Sequence, residues 1–178
     1  MTPIKRITLT GLLIAAGVVL PMAFHMIPYG LAGRALLPMH IPVLLAGLVA
    51  GPIAGLVVGL VTPLLSHLFT GMPPAAIVPP MMIELAVYGL SAGLMMRWVR
   101  TGRLFADVYI SLAVALLLGR MVAGAASALY FDAGNFQMAT WVTVYFVTAL
   151  PGLVLQLLFV PSVVIALERE GVIPPRYR

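Results

Sequence analysis

From Ala35 to Ile83 the chain carries no Asp, Glu, Lys or Arg. That run is more than twice the roughly 20 apolar residues that one membrane-crossing helix needs, so it predicts adjacent membrane spans rather than the core of a soluble domain. Further apolar stretches flank it, 62% of the residues are hydrophobic and 8% are charged, and the mean hydropathy is +1.13. In lipid every backbone N–H and C=O must be satisfied within the protein, which makes an all-α bundle the expected fold. At about 20 residues per span, a chain of 178 residues accommodates six helices with short loops and little else.

Hydropathy, read with Pro, Gly and charge as punctuation, places the spans at 7–26, 35–50, 52–70, 78–99, 106–131 and 139–167, all within one transmembrane domain covering 1–178. The second is short and holds Pro38 and Pro42, so it is predicted to bend. Lys5 and Arg6 ahead of Ile7 to Leu20 have the outline of a signal peptide. The next apolar run follows almost at once with no small-x-small cleavage site between, and the segment reads as a first span.

The net charge of +5 and pI of about 10.1 do not point to nucleic acid, because the basic residues lie beside spans. With six spans, eight of the ten basic residues fall on one face: Lys5 and Arg6, then Arg97, Arg100 and Arg103, then Arg169, Arg176 and Arg178. Both termini are therefore expected in the cytoplasm. The opposite face receives residues 26–34, the Pro-rich connection Gly71 to Pro80, and residues 132–138, which are candidate lids.

Glu84 and Arg120 stand alone in apolar spans, where an ionised side chain is costly unless paired, wetted or functional. At about 1.5 Å per residue, Arg120 lies about 21 Å up from the cytoplasmic start of its span and Glu84 about 9 Å below the outer surface. The two levels coincide in a core about 30 Å thick, and His40, His67 and Tyr145 reach a similar depth. Tyr88 shares a helical face with Glu84, Gly124 and Ser127 share one with Arg120, and Trp141, Tyr145, Thr148, Gly152 and Gln156 form a stripe. These residues predict a ligand pocket in the outer half of the bundle, with Trp141, Tyr145 and Tyr88 as flat walls and the charges fixing orientation. Several have plainer readings: Glu84 and Arg120 as a structural ion pair, His67 bonded to a carbonyl, His25 and Trp141 in the membrane interface, Arg34 on a headgroup. Met81, Met82, Met95 and Met96 read as packing.

Catalytic signatures are missing. The chain has no GxSxG, Walker A, HExxH or Asp-rich diphosphate motif, and no Cys. No catalytic residue, cofactor or resident metal is expected, and energy for uphill transport would have to come from elsewhere. Gly47, Gly51, Gly55 and Gly59 recur every fourth residue with Ala46, Ala50 and Ala54 beside them, a spacing that lets helices approach closely within the monomer. Gly11 with Ala15 and Gly89 with Gly93 repeat it, and either pair also reads as a docking face for a partner.

The segments Gly11-Leu12-Leu13-Ile14-Ala15, Leu37-Pro38-Met39-His40-Ile41-Pro42-Val43-Leu44-Leu45-Ala46-Gly47, Gly51-Pro52-Ile53-Ala54-Gly55 and Thr70-Gly71-Met72-Pro73-Pro74 resemble the substrate-binding S component of energy-coupling factor (ECF) vitamin transporters. The likeness covers nearly the whole chain. It implies a six-helix subunit of a prokaryotic cytoplasmic membrane that captures a small water-soluble vitamin or precursor near its outer face. It further implies partnership with a membrane coupling subunit and two cytoplasmic ATPases. The family's Ala-x-x-x-Ala docking pattern on the first span is matched by Gly11 and Ala15, with Gly for the first Ala. Met39-His40 is similar to the pair that opens metal-uptake members, but those residues follow a free N-terminus and here they lie mid-chain, so nickel or cobalt is not expected. Two other readings stay open. One is an intramembrane enzyme using Glu84 and a His as acid and base on a lipid-like substrate, and the other is a self-sufficient secondary carrier, whose usual inverted repeats are not evident.

Overall fold

A computed structural model of the protein describes residues 1–25, 36–131 and 134–177, without the side chains of Phe24 and His25. The candidate lid 26–34, the expected headgroup contact Arg34 and the expected interfacial side chain of His25 lie outside these described residues. Within them the chain is helical, with no strand. We number α1 Pro3–His25, α2 His40–Ala50, α3 Pro52–Thr70, α4 Val78–Trp98, α5 Leu104–Phe131, α6 Met138–Thr148 and α7 Leu150–Arg169.

Five of these, α1, α3, α4, α5 and α7, are long and apolar enough to cross a membrane. Two expected spans differ from this picture. The second becomes regular only at His40, after Leu37 with φ of 50° and the turn at Pro38 and Met39. The resulting helix α2 rises only about 16 Å, half the hydrocarbon thickness. The sixth divides at Ala149 into α6 and α7, with Pro151 in the first turn of α7, where a missing N–H costs nothing. Hydropathy alone runs straight through this break because both halves are apolar.

Along the α3–α4 seam backbone meets backbone. A Cβ on Gly55 would stand 2.3 Å from the Gly89 carbonyl oxygen, and one on Gly89 would stand 2.2 Å from the Gly55 carbonyl oxygen. Gly59 meets the Leu85 backbone and Gly93 meets Pro52 in the same way, while Gly47 of α2 abuts Gly89. The four-residue small-residue spacing thus packs helices inside the monomer. Gly51 differs from its neighbours in the series: with φ of 104° it is the joint between α2 and α3. Around this seam Val43, Leu44, Val58, Leu85, Leu112, Ala115, Val160 and Val164 form the buried core. Ile7, Leu12, Leu68, Phe69, Leu117, Met121 and Leu158 are exposed, as a surface that faces acyl chains requires.

The two ends differ. At one end Asp107, fully buried, accepts from the backbone N–H and hydroxyl of Thr101 at 2.8 Å each and from Arg176 Nε and Tyr177 OH. Arg176 also donates to the Val99 carbonyl, and Ile173 is packed into the core. This clasp fastens the segment after α7 to the α4–α5 connection. Arg6 and Arg97 line a common groove at the same end, so Arg6, Arg97 and Arg176 are gathered there. The other end carries a cavity.

Candidate functional site

The cavity has a volume of about 950 Å³, within the range of about 300–1,000 Å³ usual for small-molecule sites. Pro21 and Met22 of α1, Leu37 to His40, Ser66 and Thr70 of α3, Met81 and Glu84 of α4, Arg120 of α5, and Val144, Tyr145, Thr148 and Ala149 line it. The connection contributes Met72, Pro73, Pro74 and Ile77. The lining is mostly apolar with a few polar groups converging on it, the usual composition of an organic-ligand pocket.

Glu84 and Arg120 enter from helices of opposite direction and both line this cavity, 7% and 1% exposed respectively. They are not a structural ion pair with each other. Glu84 Oε1 accepts from Tyr88 OH at 2.8 Å and lies 3.8 Å from His40 Nε2. Arg120 has no hydrogen bond at Nε, Nη1 or Nη2 among the described residues; its guanidinium carbon sits 5.5 Å from the Phe146 ring centre. A cation over an aromatic face recovers part of its lost hydration, but leaves its N–H donors unused. His40, the first residue of α2, lies 5.3 Å from the Tyr88 ring centre and is 2% exposed. Neither of its ring nitrogens makes a hydrogen bond with a described residue.

The remaining candidates separate into two groups. Tyr145 lines the cavity beside Thr148. Tyr88, Trp141 and His67 do not. Tyr88 is fully buried with its ring against Gly119, where a Cβ would fall 2.2 Å from Cδ1. Trp141 rests on Gly124 in the same manner, 2.5 Å from that Cβ position to Cε2, and packs on Phe146 and Tyr145 at 5.4 and 5.9 Å between ring centres. The small residues beside Arg120 therefore make room for aromatic rings. His67 Nδ1 is 2.8 Å from the Pro73 carbonyl oxygen. Together with Ser66, whose hydroxyl donates to the Met72 carbonyl at 2.8 Å, it fastens the connection that closes one side of the cavity. The Met72–Pro73 bond is cis.

Ser66 and Phe146 carry no signal of a site in the sequence, whereas Thr70 and Met72–Pro74 stand out there only through the family-like segment and the candidate lid. Hydroxyls near helix ends and a lone Phe are too common in membrane helices to signal a site, although the Pro-rich connection itself was recognised. Met81 faces the cavity rather than serving as packing alone. Of the polar stripe that ends at Gln156, Gly152 and Gln156 fall on α7, buried and away from the cavity lining. Among the described residues no group of three or more His, Cys, Asp or Glu is gathered to hold a metal ion.

The family described as ECF transporter, substrate-specific component, matches residues 5–164. Among curated proteins and among solved structures, none matches the chain.

Proposed function

Because the chain belongs to the family of ECF transporter substrate-specific components, and so is a membrane transport subunit rather than an enzyme, we propose that it captures a small water-soluble vitamin or vitamin precursor in the 950 Å³ cavity. The observation that carries this reading is Arg120: a guanidinium 1% exposed, lining the cavity, with its three nitrogens unbonded among the described residues. A buried charge without partner groups is costly, and a ligand anion or carbonyl meeting it inside the membrane recovers that cost. Glu84 takes a donor from the ligand through the carboxylate oxygen that Tyr88 leaves free. Tyr145 lies flat against a ring, and His40 borders the carboxylate.

Six membrane crossings follow if α2 crosses beside the five long helices and α6 and α7 together make a single crossing. The positive-inside tendency then sets the clasped, basic end in the cytoplasm of a prokaryotic cell and the cavity toward the exterior. Uptake is driven by two cytoplasmic ATPases through a membrane coupling subunit. Gly11 and Ala15 are the docking pair; both are exposed, and a Cβ on Gly11 would meet nothing within 4 Å.

Mass spectrometry of the small molecule that co-purifies with the protein tests this reading directly. The expected result is one ringed compound with an anionic or carbonyl group, bound stoichiometrically and without turnover. Its affinity should fall in both Arg120→Ala and Glu84→Ala. If both variants bind as the wild type does, the cavity is not the capture site.

A further inference from the structure

A second concavity, about 550 Å³, lies at the opposite, basic end between α1, the end of α2 and the start of α3. Its two halves differ in chemistry. Arg6 and Arg97 stand at the rim, and Ile14, Ile53 and Val57 form the wall that runs toward the membrane interior. Ile14 is two helical turns above Arg6, about 12 Å along α1. Arg97 lies across the joint between α2 and α3, with Nη2 3.5 Å from where a Cβ of Gly51 would stand. Neither guanidinium makes an ion pair or hydrogen bond with a described residue. The nearby carboxylate of Asp107 is already committed to Arg176.

We propose that this groove binds one anionic phospholipid, its phosphate between Arg6 and Arg97 and an acyl chain along Ile14, Ile53 and Val57. Charge complementarity selects the headgroup. The apolar wall, continuous with the lipid-facing surface through Ile53 at 67% exposure, selects a ligand with a hydrocarbon tail over a free phosphate. Each basic residue at an anionic membrane surface contributes a factor of about five in binding, so two together give about 30-fold preference over a neutral lipid. Gly11 lines the same groove, so lipid and a docked membrane partner exclude one another there.

The test uses the full-length protein in neutral-lipid nanodiscs, with phosphatidylglycerol and phosphatidylcholine probes carrying the same photoactivatable acyl chain. The expected result is labelling of peptides containing Ile14, Ile53 or Val57 that is about 30-fold stronger for the anionic probe. In Arg6→Gln/Arg97→Gln the anionic probe should drop to the level of the neutral one, with the unfolding temperature unchanged, and soluble glycerol phosphate should not compete. Equal labelling by both probes overturns the proposal, as does displacement by glycerol phosphate, which would mark a free-anion site. The chain has no cysteine, so Ile53→Cys is a unique handle. Its oxidation to a disulfide-linked dimer that blocks labelling would assign the groove to a second copy and likewise overturn the proposal.

Discussion

Tyr88 donates its hydroxyl to Glu84 Oε1 at 2.8 Å from a position that never touches the cavity. The two residues are one helical turn apart on α4, and Gly119 of the neighbouring helix admits the tyrosine ring that makes the contact possible. One oxygen of the cavity carboxylate is thereby held from behind, and the other is left for whatever enters from the front.

Tyr88→Phe keeps the ring that fills the space at Gly119 and removes only the hydroxyl. A hydrogen bond of this kind is worth about 1–3 kcal/mol, so the variant is expected to fold and to bind its ligand about tenfold more weakly. Titration calorimetry on the purified variant, alongside thermal unfolding, checks this. Unchanged affinity would mean that Glu84 needs no support from Tyr88.

Arg120→Met exchanges an unpaired buried cation for an apolar chain of similar length. Burying an ion without a hydrogen-bonding partner is costly, so the unfolding temperature of the ligand-free protein should hold or rise. The increase that ligand produces in the wild type should vanish, because truncating one side of a buried charge contact costs about 2–5 kcal/mol of binding. A ligand-free variant that melts well below the wild type would show that the guanidinium has protein partners after all.

The convergence of Glu84 and Arg120 on one cavity was legible in the sequence because charge is scarce in an apolar chain and helical rise converts position into depth. That Gly47, Gly55 and Gly59 pack helices inside the monomer was legible from their four-residue spacing, although the same spacing at Gly89 and Gly93 read equally as a docking face and only the structure turns it onto Gly55 and Pro52. What lay beyond sequence was the side to which each aromatic turns. Trp141 and Tyr145 share a stripe, yet Trp141 is drawn onto Gly124 and only Tyr145 reaches the cavity. The break at Ala149 was hidden too, since both α6 and α7 are apolar and Pro151 is equally at home inside a membrane helix whose neighbours satisfy the freed carbonyl.

Two glycine variants on the same scale separate packing from exposed surface. Gly89→Ala drives a Cβ into the Gly55 backbone, and overpacking of this kind costs about 1–3 kcal/mol. Gly11→Ala meets open space and gains up to about 1 kcal/mol of helix propensity. Thermal unfolding in detergent should therefore fall clearly for the first and hold or rise slightly for the second. Equal shifts would contradict the asymmetry of these two sites.

Asp107→Asn weakens the clasp at the basic end. Breaking a charge pair whose carboxylate is fully buried costs about 3–5 kcal/mol, somewhat less here because Arg176 remains partly exposed. The segment from Gly171 to Tyr177 should become accessible to trypsin at Arg176 within minutes, under conditions where the wild type is resistant. Ligand affinity at the far end should stay the same.

At the α3–α4 seam the two backbones touch with no side chains between them, so neither helix can turn or slide without forcing main-chain atoms together. Ser66, Thr70, Met81 and Glu84 thus form a fixed jaw. Among the described residues, the parts of the lining that this seam does not hold are Pro21 and Met22 of α1, the bend at Leu37 to Met39, and the corner at Ala149 that carries Tyr145 and Thr148, and movement that admits or frees a guest is left to them.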